Sequence, residues 1–313
     1  MIRNASIAIA ALSMGLGAAG GAQAADPASC KTVRMSDPGW SDITSTNALA
    51  GVVLKGLGYD QKVETLGVPV GYQALANKQT DVFLGNWMPA QTKFRQQLEV
   101  DGTAEELTRN LTGAKFTLAV PNYVAEAGVK DVKDLATNAD KFGKEIYGIE
   151  PGAPANINIQ SMIDAPNYGL AGWKLVDSSE QGMLSQVQRA ERSKDWVVFL
   201  GWAPHPMNNM GITYLSGADE FFGPNFGGAE VFTLARAGYK TECPNAAKLF
   251  SQMVFTVEQE NQIMAALADG TDPAKAAKDW LKANPGVLDG WLAGVETLDG
   301  QPGLAAVKAS VEG

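Results

Sequence analysis

Residues 82–89 read VFLGNWMP and residues 198–204 read VFLGWAP, so one short pattern occurs twice in this chain. In both copies an apolar run ends at a glycine, a tryptophan follows closely, and a proline lies two residues after the tryptophan. An apolar run bounded by glycine and proline indicates a buried strand that ends in a tight loop. The pattern therefore predicts that Trp87 and Trp202 lie just past the carboxyl ends of two strands, where open α/β sheets hold their ligands.

A third tryptophan occupies a similar place near the start of the chain. Residues 32–35 (TVRM) read as a strand, and residues 37–42 (DPGWSD) read as the loop that follows it. This loop contains Trp40 and Asp42. Because aromatic faces attract cations, three loop tryptophans with one nearby carboxylate suggest a cage for an organic cation. A single tryptophan after a strand is more often a core residue, and that alternative stays open for each one taken alone.

The rest of the chain alternates short apolar strands with amphipathic helices. Such βαβ alternation predicts an α/β fold with mainly parallel sheets and helices on their faces. Polar residues at helix starts fit capping boxes at Ser178 with Gln181 and at Thr256 with Gln259. The predicted strands are 33–35, 62–66, 81–85, 145–149, 173–176 and 196–200, and the predicted helices are 44–58, 70–78, 156–164 and one from 179 onward.

Two similar segments flank the middle of the chain. Residues 113–119 read GAKFTLA and residues 228–235 read GAEVFTLA. If the chain crosses to a second lobe at the first segment and returns at the second, lobe 1 consists of 25–115 and 230–313, and lobe 2 consists of 116–229. Two crossing strands form a hinge that can close a cleft over a ligand. The alternative is that apolar strands resemble one another by chance.

The chain begins with the pattern of a secretory signal peptide at residues 1–24. Arg3 supplies a basic start, residues 7–19 are apolar, and residues 22–24 (AQA) fit a cleavage site. We therefore expect a periplasmic protein that begins at residue 25. In that oxidising compartment Cys30 and Cys243 are expected to form a disulfide.

Charge and motif content argue against several function classes. The net charge of −9 disfavours nucleic acid and anionic membranes as partners and mildly favours cationic ligands, although it can also serve solubility alone. His205 is the one histidine of the sequence. The sequence contains no cluster with metal-ligand spacing, no nucleophile elbow and no phosphate loop. We predict no cofactor, interpret His205 as a structural hydrogen-bonding residue behind the Trp202 loop, and assign Glu150 a loop-capping or hinge role.

The tryptophan loops resemble those of choline-binding periplasmic proteins of bacterial ABC importers, within the glycine betaine/choline substrate-binding family. The resemblance covers essentially the whole chain after the signal peptide. It implies a monomeric, two-lobed periplasmic binding protein (type II) with a ligand cleft between the lobes, which delivers choline or a related quaternary ammonium compound to ABC permease subunits. The matching segments are DPGWSDIT at 37–44, DVFLGNWMP at 81–89, IEPG at 149–152, SSEQGML at 178–184 and FLGWAPHPMN at 199–208.

The resemblance also implies roles for individual residues. In that family an aromatic box surrounds the trimethylammonium group, while a carboxylate and an amide hold the choline hydroxyl. Asp42 matches the carboxylate. The matching box residues are Trp40, Trp87, Trp202 and, where the family has tyrosine, Phe116. Phenylalanine keeps the aromatic face that attracts a cation.

One departure from the family concerns the amide. The family's amide directly follows Glu-Pro-Gly, and this chain has Ala153 there. Asn156 and Asn158 lie just beyond, and Asn156 is the candidate ligand contact in its place. This departure leaves open which quaternary ammonium compound is bound.

Two alternative functions also stay open: a binder of glycine betaine, carnitine or a similar betaine, and an exported choline-ester hydrolase.

Overall fold

The computed structural model describes residues 25–313, which form a mixed α/β structure around one sheet, so the predicted signal peptide lies outside the described residues. The strands are β1 (Thr32–Asp37), β2 (Asp60–Thr65), β3 (Val82–Met88), β4 (Ala104–Pro121), β5 (Glu145–Tyr147), β6 (Lys174–Val176), β7 (Phe199–Ala203), β8 (Ile212–Tyr214) and β9 (Gly228–Arg236). They are arranged in the order β2-β1-β3-β9-β4-β7-β5-β6, and β8 pairs with β4.

Helices cover this sheet, and short 3₁₀ turns join several of them. The 3₁₀ turns are Ala28–Cys30, Ala139–Phe142, Pro166–Tyr168 and Pro206–Met210. The helices are α1 (Ser41–Gly56), α2 (Val68–Ala76), α3 (Thr92–Asp101), α4 (Asn122–Glu126), α5 (Lys133–Thr137), α6 (Pro154–Asp164), α7 (Glu180–Ser193), α8 (Asp219–Phe222), α9 (Pro224–Gly227), α10 (Tyr239–Glu242), α11 (Pro244–Gln252), α12 (Val257–Ala268), α13 (Pro273–Ala283), α14 (Val287–Trp291) and α15 (Gly303–Glu312).

The sheet consists of two parallel groups joined by antiparallel strands. Strands β2, β1 and β3 are mutually parallel, and so are β7, β5 and β6. Between them, β9 and β4 run antiparallel to each other and to the group that each one borders. The α/β fold with mainly parallel strand groups is thus confirmed, and the two groups face each other across the crossing strands.

The two similar segments of the sequence are direct neighbours in the sheet. Ala114 pairs with Ala229 and Lys115 pairs with Gly228, so the two segments lie side by side at their amino ends and run in opposite directions. Strand β4 pairs with β9 along its first part and with β7 and β8 along its last part, which makes it a crossing strand between the groups. The exact lobe boundaries stay a prediction.

The C-terminal helices pack against the first parallel group. Helix α1, which follows β1, contacts α12, α13 and α15. A disulfide between Cys30 and Cys243, with Cα atoms 5.7 Å apart, joins the segment before β1 to the start of α11. The predicted disulfide is confirmed, and this packing supports a lobe that combines the two ends of the chain.

The structure corrects where the repeated tryptophans lie. Trp87 is inside β3 and Trp202 is inside β7, rather than beyond the strand ends. Both strands continue because each has an antiparallel neighbour at this point: Trp87 pairs with Val231 of β9, and Trp202 pairs with Phe116 of β4. The sequence pattern contained no information on these distant partners.

One of the two predicted capping boxes is present in the structure. The capping box of Thr256 with Gln259 is confirmed at the start of α12. The box predicted for Ser178 is wrong, because α7 begins one residue later and Ser179 is its N-cap. The Ser179 hydroxyl accepts a hydrogen bond from the backbone N–H of Gly182 at 3.1 Å.

A buried ionic network fixes the amino end of β3. Asp81 accepts hydrogen bonds from Nε of Arg34 at 2.8 Å and from Nε of Arg236 at 2.7 Å, and its side chain is 4% exposed. Burial alone would raise the pKa of Asp81, but the hydrogen bonds from the two arginines outweigh it and lower the pKa. This carboxylate therefore ties β1, β3 and β9 together.

Replacing Asp81 by asparagine should lower the free energy of unfolding by about 2 kcal/mol, because two guanidinium groups lose their shared counter-ion. This loss of stability is smaller than for an ion pair that is completely buried, since the Arg34 side chain is 37% exposed. A lowered pKa means that this stability exists above the ordinary carboxyl pKa and disappears as the pH falls through the folded value. Urea unfolding at neutral pH measures it.

The matched control is Asp279→Asn, which removes an exposed partner of Lys275 on α13. Exposed ion pairs within one helix contribute little to stability, so the urea concentration at which half of the protein is unfolded should equal that of the wild type. Equal midpoints for the Asp81 and Asp279 variants would contradict the assignment of a stabilising role to the network.

Candidate ligand-binding site

A cavity lies between the two parallel groups, at the carboxyl ends of β1, β3, β5 and β7. Five of the residues predicted from the sequence line it: Trp40, Asp42, Trp87, Phe116 and Trp202. The remaining wall is formed by Ala90, Gln91, Ile149, Pro154, Ala155 and Leu200. Elements from both parallel groups therefore contribute, and the cavity is complete only where the two groups meet.

The loop after β1 holds Trp40 through a carboxylate. Asp37 accepts hydrogen bonds from the backbone N–H of Gly39 and from the hydroxyl of Thr44, both at 2.7 Å. Gly39 has a φ of +92°, a value that side-chain-bearing residues rarely adopt. This tight loop makes Trp40 the N-cap residue of α1 and directs the chain into the helix.

The repeated glycines explain how the other two tryptophans reach the cavity. A Cβ atom at Gly85 would lie 2.8 Å from Cδ1 of Ile43, and one at Gly201 would lie 2.8 Å from Cβ of Ala119. Glycine therefore allows close packing just before each tryptophan. The likeness of the two copies extends to the prolines, because both Met88–Pro89 and Ala203–Pro204 are cis peptide bonds.

Four aromatic rings are thereby brought together. The Phe116 ring is 6.3 Å from the Trp87 ring in an edge-to-face arrangement, and Phe116 lies opposite Trp202 in the sheet register. Trp40 is 8% exposed, and Trp87, Trp202 and Phe116 are equally well buried. In this cavity a guest would be surrounded by aromatic carbon and shielded from water.

Asp42 supplies the charge of the cavity. It lies in the first turn of α1, and its Oδ2 accepts a hydrogen bond from Nε1 of Trp87 at 2.9 Å. Its Oδ1 is buried and accepts none from the part of the chain that the structure describes. Burial raises the pKa of Asp42 to about 7, and nearby Glu180 adds to this rise, while the bond from Trp87 opposes it.

The other polar residue of the wall, Gln91, is already occupied. Its Oε1 accepts from the hydroxyl of Tyr72 at 2.7 Å, and its Nε2 donates to the carbonyl of Gly85 at 2.8 Å. On this wall, Oδ1 of Asp42 is therefore the side-chain oxygen that can accept a hydrogen bond from a ligand.

The structure places the predicted contact Asn156 outside the cavity. Its Oδ1 accepts from the backbone N–H of Ile149 at 3.0 Å, and its Nδ2 donates to the carbonyl of Ile149 and to Asp177. These bonds use the amide to hold the loop after β5, so it faces the loop rather than a ligand. Ala153, at the family's amide position, is the buried N-cap residue of α6.

Two carboxylates from the second parallel group reach the loop after β1. Both oxygens of Glu150 accept from Nε1 of Trp40 at 3.1 Å, so this residue contacts the cage itself. Glu180 accepts from the backbone N–H of Ser41 at 2.9 Å and also from its hydroxyl. Glu180 lies in the segment 178–184 that resembles the family, but its sequence context indicates no role for it.

His205 has the structural role that was predicted for it. Its Nδ1 accepts from the backbone N–H of Met207 at 2.9 Å, which leaves Nε2 to donate to Glu180 at 3.1 Å. The imidazole ring lies edge-to-face against Trp202, with ring centres 4.8 Å apart. His205 thus links Glu180 to the third tryptophan of the cage.

Residues 25–313 contain neither a candidate membrane-spanning helix nor a candidate metal site. No helix there combines the length and the apolar character that a bilayer crossing requires. No cluster of three or more histidine, cysteine, aspartate or glutamate side chains is arranged to hold a metal ion in the same range.

Comparison with solved structures places this architecture among known proteins. An ABC-transporter choline binding protein in complex with choline is 53% identical, with a TM-score of 0.89 over 91% of this chain and 100% of the other. An ABC-transporter choline binding protein in an unliganded semi-closed conformation is also 53% identical, with a TM-score of 0.83 over 90% of this chain and 99% of the other. The present arrangement is therefore closer to the choline-bound one.

Sequence comparison gives the family. The glycine betaine/carnitine transport binding protein GbuC of Listeria monocytogenes serotype 1/2a (strain 10403S) is 31% identical over 169 residues, which are 54% of each chain. The family model OpuAC, described as the substrate binding domain of the ABC-type glycine betaine transport system, matches residues 31–283. This protein therefore belongs to the OpuAC family of ABC transporter substrate-binding domains, and its two parallel strand groups are the two lobes of that fold.

Proposed function

We propose that this protein captures choline or a related quaternary ammonium compound for an ABC importer. The observation that carries the proposal is the combination of four aromatic rings with one buried, unpartnered carboxylate oxygen in a single cavity. A quaternary ammonium group has no N–H to donate, so only diffuse electrostatics and shape can recognise it, and aromatic faces supply both. The similarity to a choline binding protein over nearly the whole chain supports this ligand class.

The strength of such a site is adequate for capture. Four rings contribute of order 4–6 kcal/mol to the binding of a cation when water is excluded. A micromolar dissociation constant corresponds to about 8 kcal/mol, and the ionised Asp42 supplies the remainder in a dry cavity. Oδ1 of Asp42 would accept the hydrogen bond of a choline hydroxyl.

A second candidate is a betaine, whose carboxylate needs hydrogen-bond donors. The first turn of α6 favours it, because Pro154 and Ala155 lie on the cavity wall and helix N-termini attract anions. Asp42 opposes it, since an ionised carboxylate repels the carboxylate of the ligand in a dry site. We therefore place choline before glycine betaine and carnitine.

The proposal includes a compartment, partners and the absence of catalysis. The signal-peptide pattern supports a periplasmic location. In the proposal the protein is a monomer with lobe 1 at 25–115 and 230–313 and lobe 2 at 116–229, and it meets permease subunits after the lobes close. A choline-ester hydrolase would need a serine beside a histidine. His205 instead bonds to Met207 and Glu180, which argues against that alternative.

Calorimetric titration at about pH 8 with choline, acetylcholine, glycine betaine, carnitine and trimethylamine N-oxide tests the proposal. We expect choline to bind in the micromolar range and at least about tenfold more tightly than glycine betaine, a difference of about 1.4 kcal/mol. Tighter binding of glycine betaine would favour the second candidate. The absence of heat for all five compounds would refute both.

A further inference from the structure

We propose that Glu150 and Glu180 are positioning residues, which hold the aromatic cage together from across the cleft without lining the cavity. This inference rests on the proposed function, since the cage is the binding site for the cation. Neither carboxylate belongs to the cavity wall. Both nevertheless bond to the loop that carries Trp40.

Two tryptophans of the cage donate their indole N–H to a carboxylate, and the third packs against a histidine that bonds to one. Asp42 accepts the indole N–H of Trp87, and Glu150 accepts that of Trp40. Glu180 acts through His205, whose ring packs against Trp202. An indole whose N–H is bonded to an anion is fixed in orientation, and hydrogen bonds to charged groups are stronger than neutral ones.

The Glu150 and Glu180 contacts differ from the others because they join the two lobes. Trp40 and Ser41 follow β1 in the first lobe, whereas Glu150 follows β5 and Glu180 begins α7 in the second. The bond between Asp42 and Trp87 stays within the first lobe. Closing the cleft therefore forms the Glu150 and Glu180 bonds, and opening it must break them.

Glu180 also completes the amino end of α1. The first N–H groups of a helix have no partner inside the helix, and Trp40, the N-cap residue, gives no side-chain bond to them. The carboxylate of Glu180 accepts from Ser41 instead, so the opposite lobe caps this helix. Because α1 carries Asp42 in its first turn, the cap also fixes the charge of the cage.

The same carboxylates create mutual repulsion that a bound cation would relieve. Glu180 is 2% exposed and lies close enough to raise the pKa of Asp42, after the larger effect of burial. Burial also raises the pKa of Glu150, with a smaller contribution from Glu180. A quaternary ammonium ion beside Asp42 in the cavity, with Glu150 and Glu180 behind the wall, would offset this repulsion in the closed state.

The first test is the rate of choline release by Glu150→Gln and Glu180→Gln, followed by stopped-flow tryptophan fluorescence. We expect koff to rise about tenfold in each, with kon changed less than about twofold, because the bonds form only on closure. The matched control, Glu126→Gln, removes one exposed negative charge of the same lobe and should leave both rates unchanged. Lower fold stability alone would shift the melting temperature without raising koff.

The second test is a double-mutant cycle with Trp40→Phe, which keeps an aromatic ring and removes the indole N–H. If Glu150 acts through that N–H, Glu150→Gln should have little further effect on koff in the Trp40→Phe background. Ser41→Ala paired with Glu180→Gln tests the hydroxyl part of the second contact, because the backbone N–H of Ser41 still bonds to Glu180 in the alanine variant.

The outcomes separate this inference from the proposed function. Choline binding by the wild type with unchanged koff in both glutamine variants would overturn the inference and leave the function intact. Additive effects in the cycle of Trp40→Phe with Glu150→Gln would also overturn it, because they would show that Glu150 acts by its charge at a distance. A wild-type protein that does not bind choline would overturn the proposed function and, with it, this role of the two carboxylates.

Discussion

Replacing Trp87 by alanine is expected to weaken the binding of every trimethylammonium ligand by about 100-fold, or about 2.7 kcal/mol. Three losses combine at this residue. The cavity loses an aromatic face, the Phe116 ring loses its edge-to-face neighbour, and Oδ2 of Asp42 loses the N–H that it accepts. The last loss should raise the pKa of Asp42 further and so reduce its charge at neutral pH.

Calorimetry with choline, tetramethylammonium and glycine betaine measures this effect. All three should weaken together, because they share the group that the rings hold. Trp196→Ala is the matched control, since Trp196 lies outside the cavity and packs against Phe142 and Lys141. A variant at Trp87 that loses choline but keeps tetramethylammonium would contradict the assignment of Trp87 to the cation.

Asp42→Asn is expected to weaken choline more than tenfold at about pH 8, or over about 1.4 kcal/mol, because the substitution keeps the shape and removes the charge. The substitution should also reduce the difference in affinity between choline and glycine betaine, since the carboxylate of glycine betaine no longer meets a like charge. An Asp42→Asn protein that binds choline as tightly as the wild type would refute the charge assignment and leave a cage that recognises methyl groups alone.

The same residue predicts a pH dependence of binding. With burial raising the pKa of Asp42 to about 7, the empty site holds a proton below that pH, and a cation must displace it. The dissociation constant of choline should therefore rise by up to about tenfold per pH unit as the pH falls below about 7, and level off above it. Titrations between about pH 5.5 and about pH 8 check this, and Asp42→Asn should respond much less.

The empty protein should show the opposite trend in stability. A raised carboxyl pKa means that the folded state binds a proton that the unfolded chain has released, so the free energy of unfolding falls as the pH rises through this range. The pKa values of Asp37, Glu150 and Glu260 are also raised by burial, and act in the same direction. Saturating choline should reduce the contribution of Asp42 to this trend.

The repeated tryptophan pattern allowed much of the cage to be predicted from sequence. Glycine and proline mark where a buried run must turn, and parallel strands bring their carboxyl ends to one edge. The positions of Trp40, Trp87 and Trp202 in the sequence are therefore enough to indicate a common cavity. Phe116 could be predicted only from the family resemblance, because nothing in its own segment distinguishes a phenylalanine that lines a cavity from one in the core.

What the sequence could not reveal depends on contacts between distant segments. The antiparallel partners of β3 and β7 extend those strands past their tryptophans, and no local pattern encodes that pairing. Asn156 has the expected residue type near the expected position, but its amide is used by its own loop. Glu180 meets Ser41 across 139 positions of sequence, so its role becomes visible only once the lobes face each other.

The measurement that tests the central claim most directly compares choline with its neutral carbon isostere, in which a tert-butyl group replaces the trimethylammonium group. The two molecules share shape and hydroxyl and differ in charge, so the comparison isolates the attraction of the rings and Asp42 for a cation. We expect choline to bind at least about 100-fold more tightly in calorimetric titration at about pH 8. Equal affinity for the two compounds would show that the cavity recognises shape alone, and would contradict the proposed cation cage.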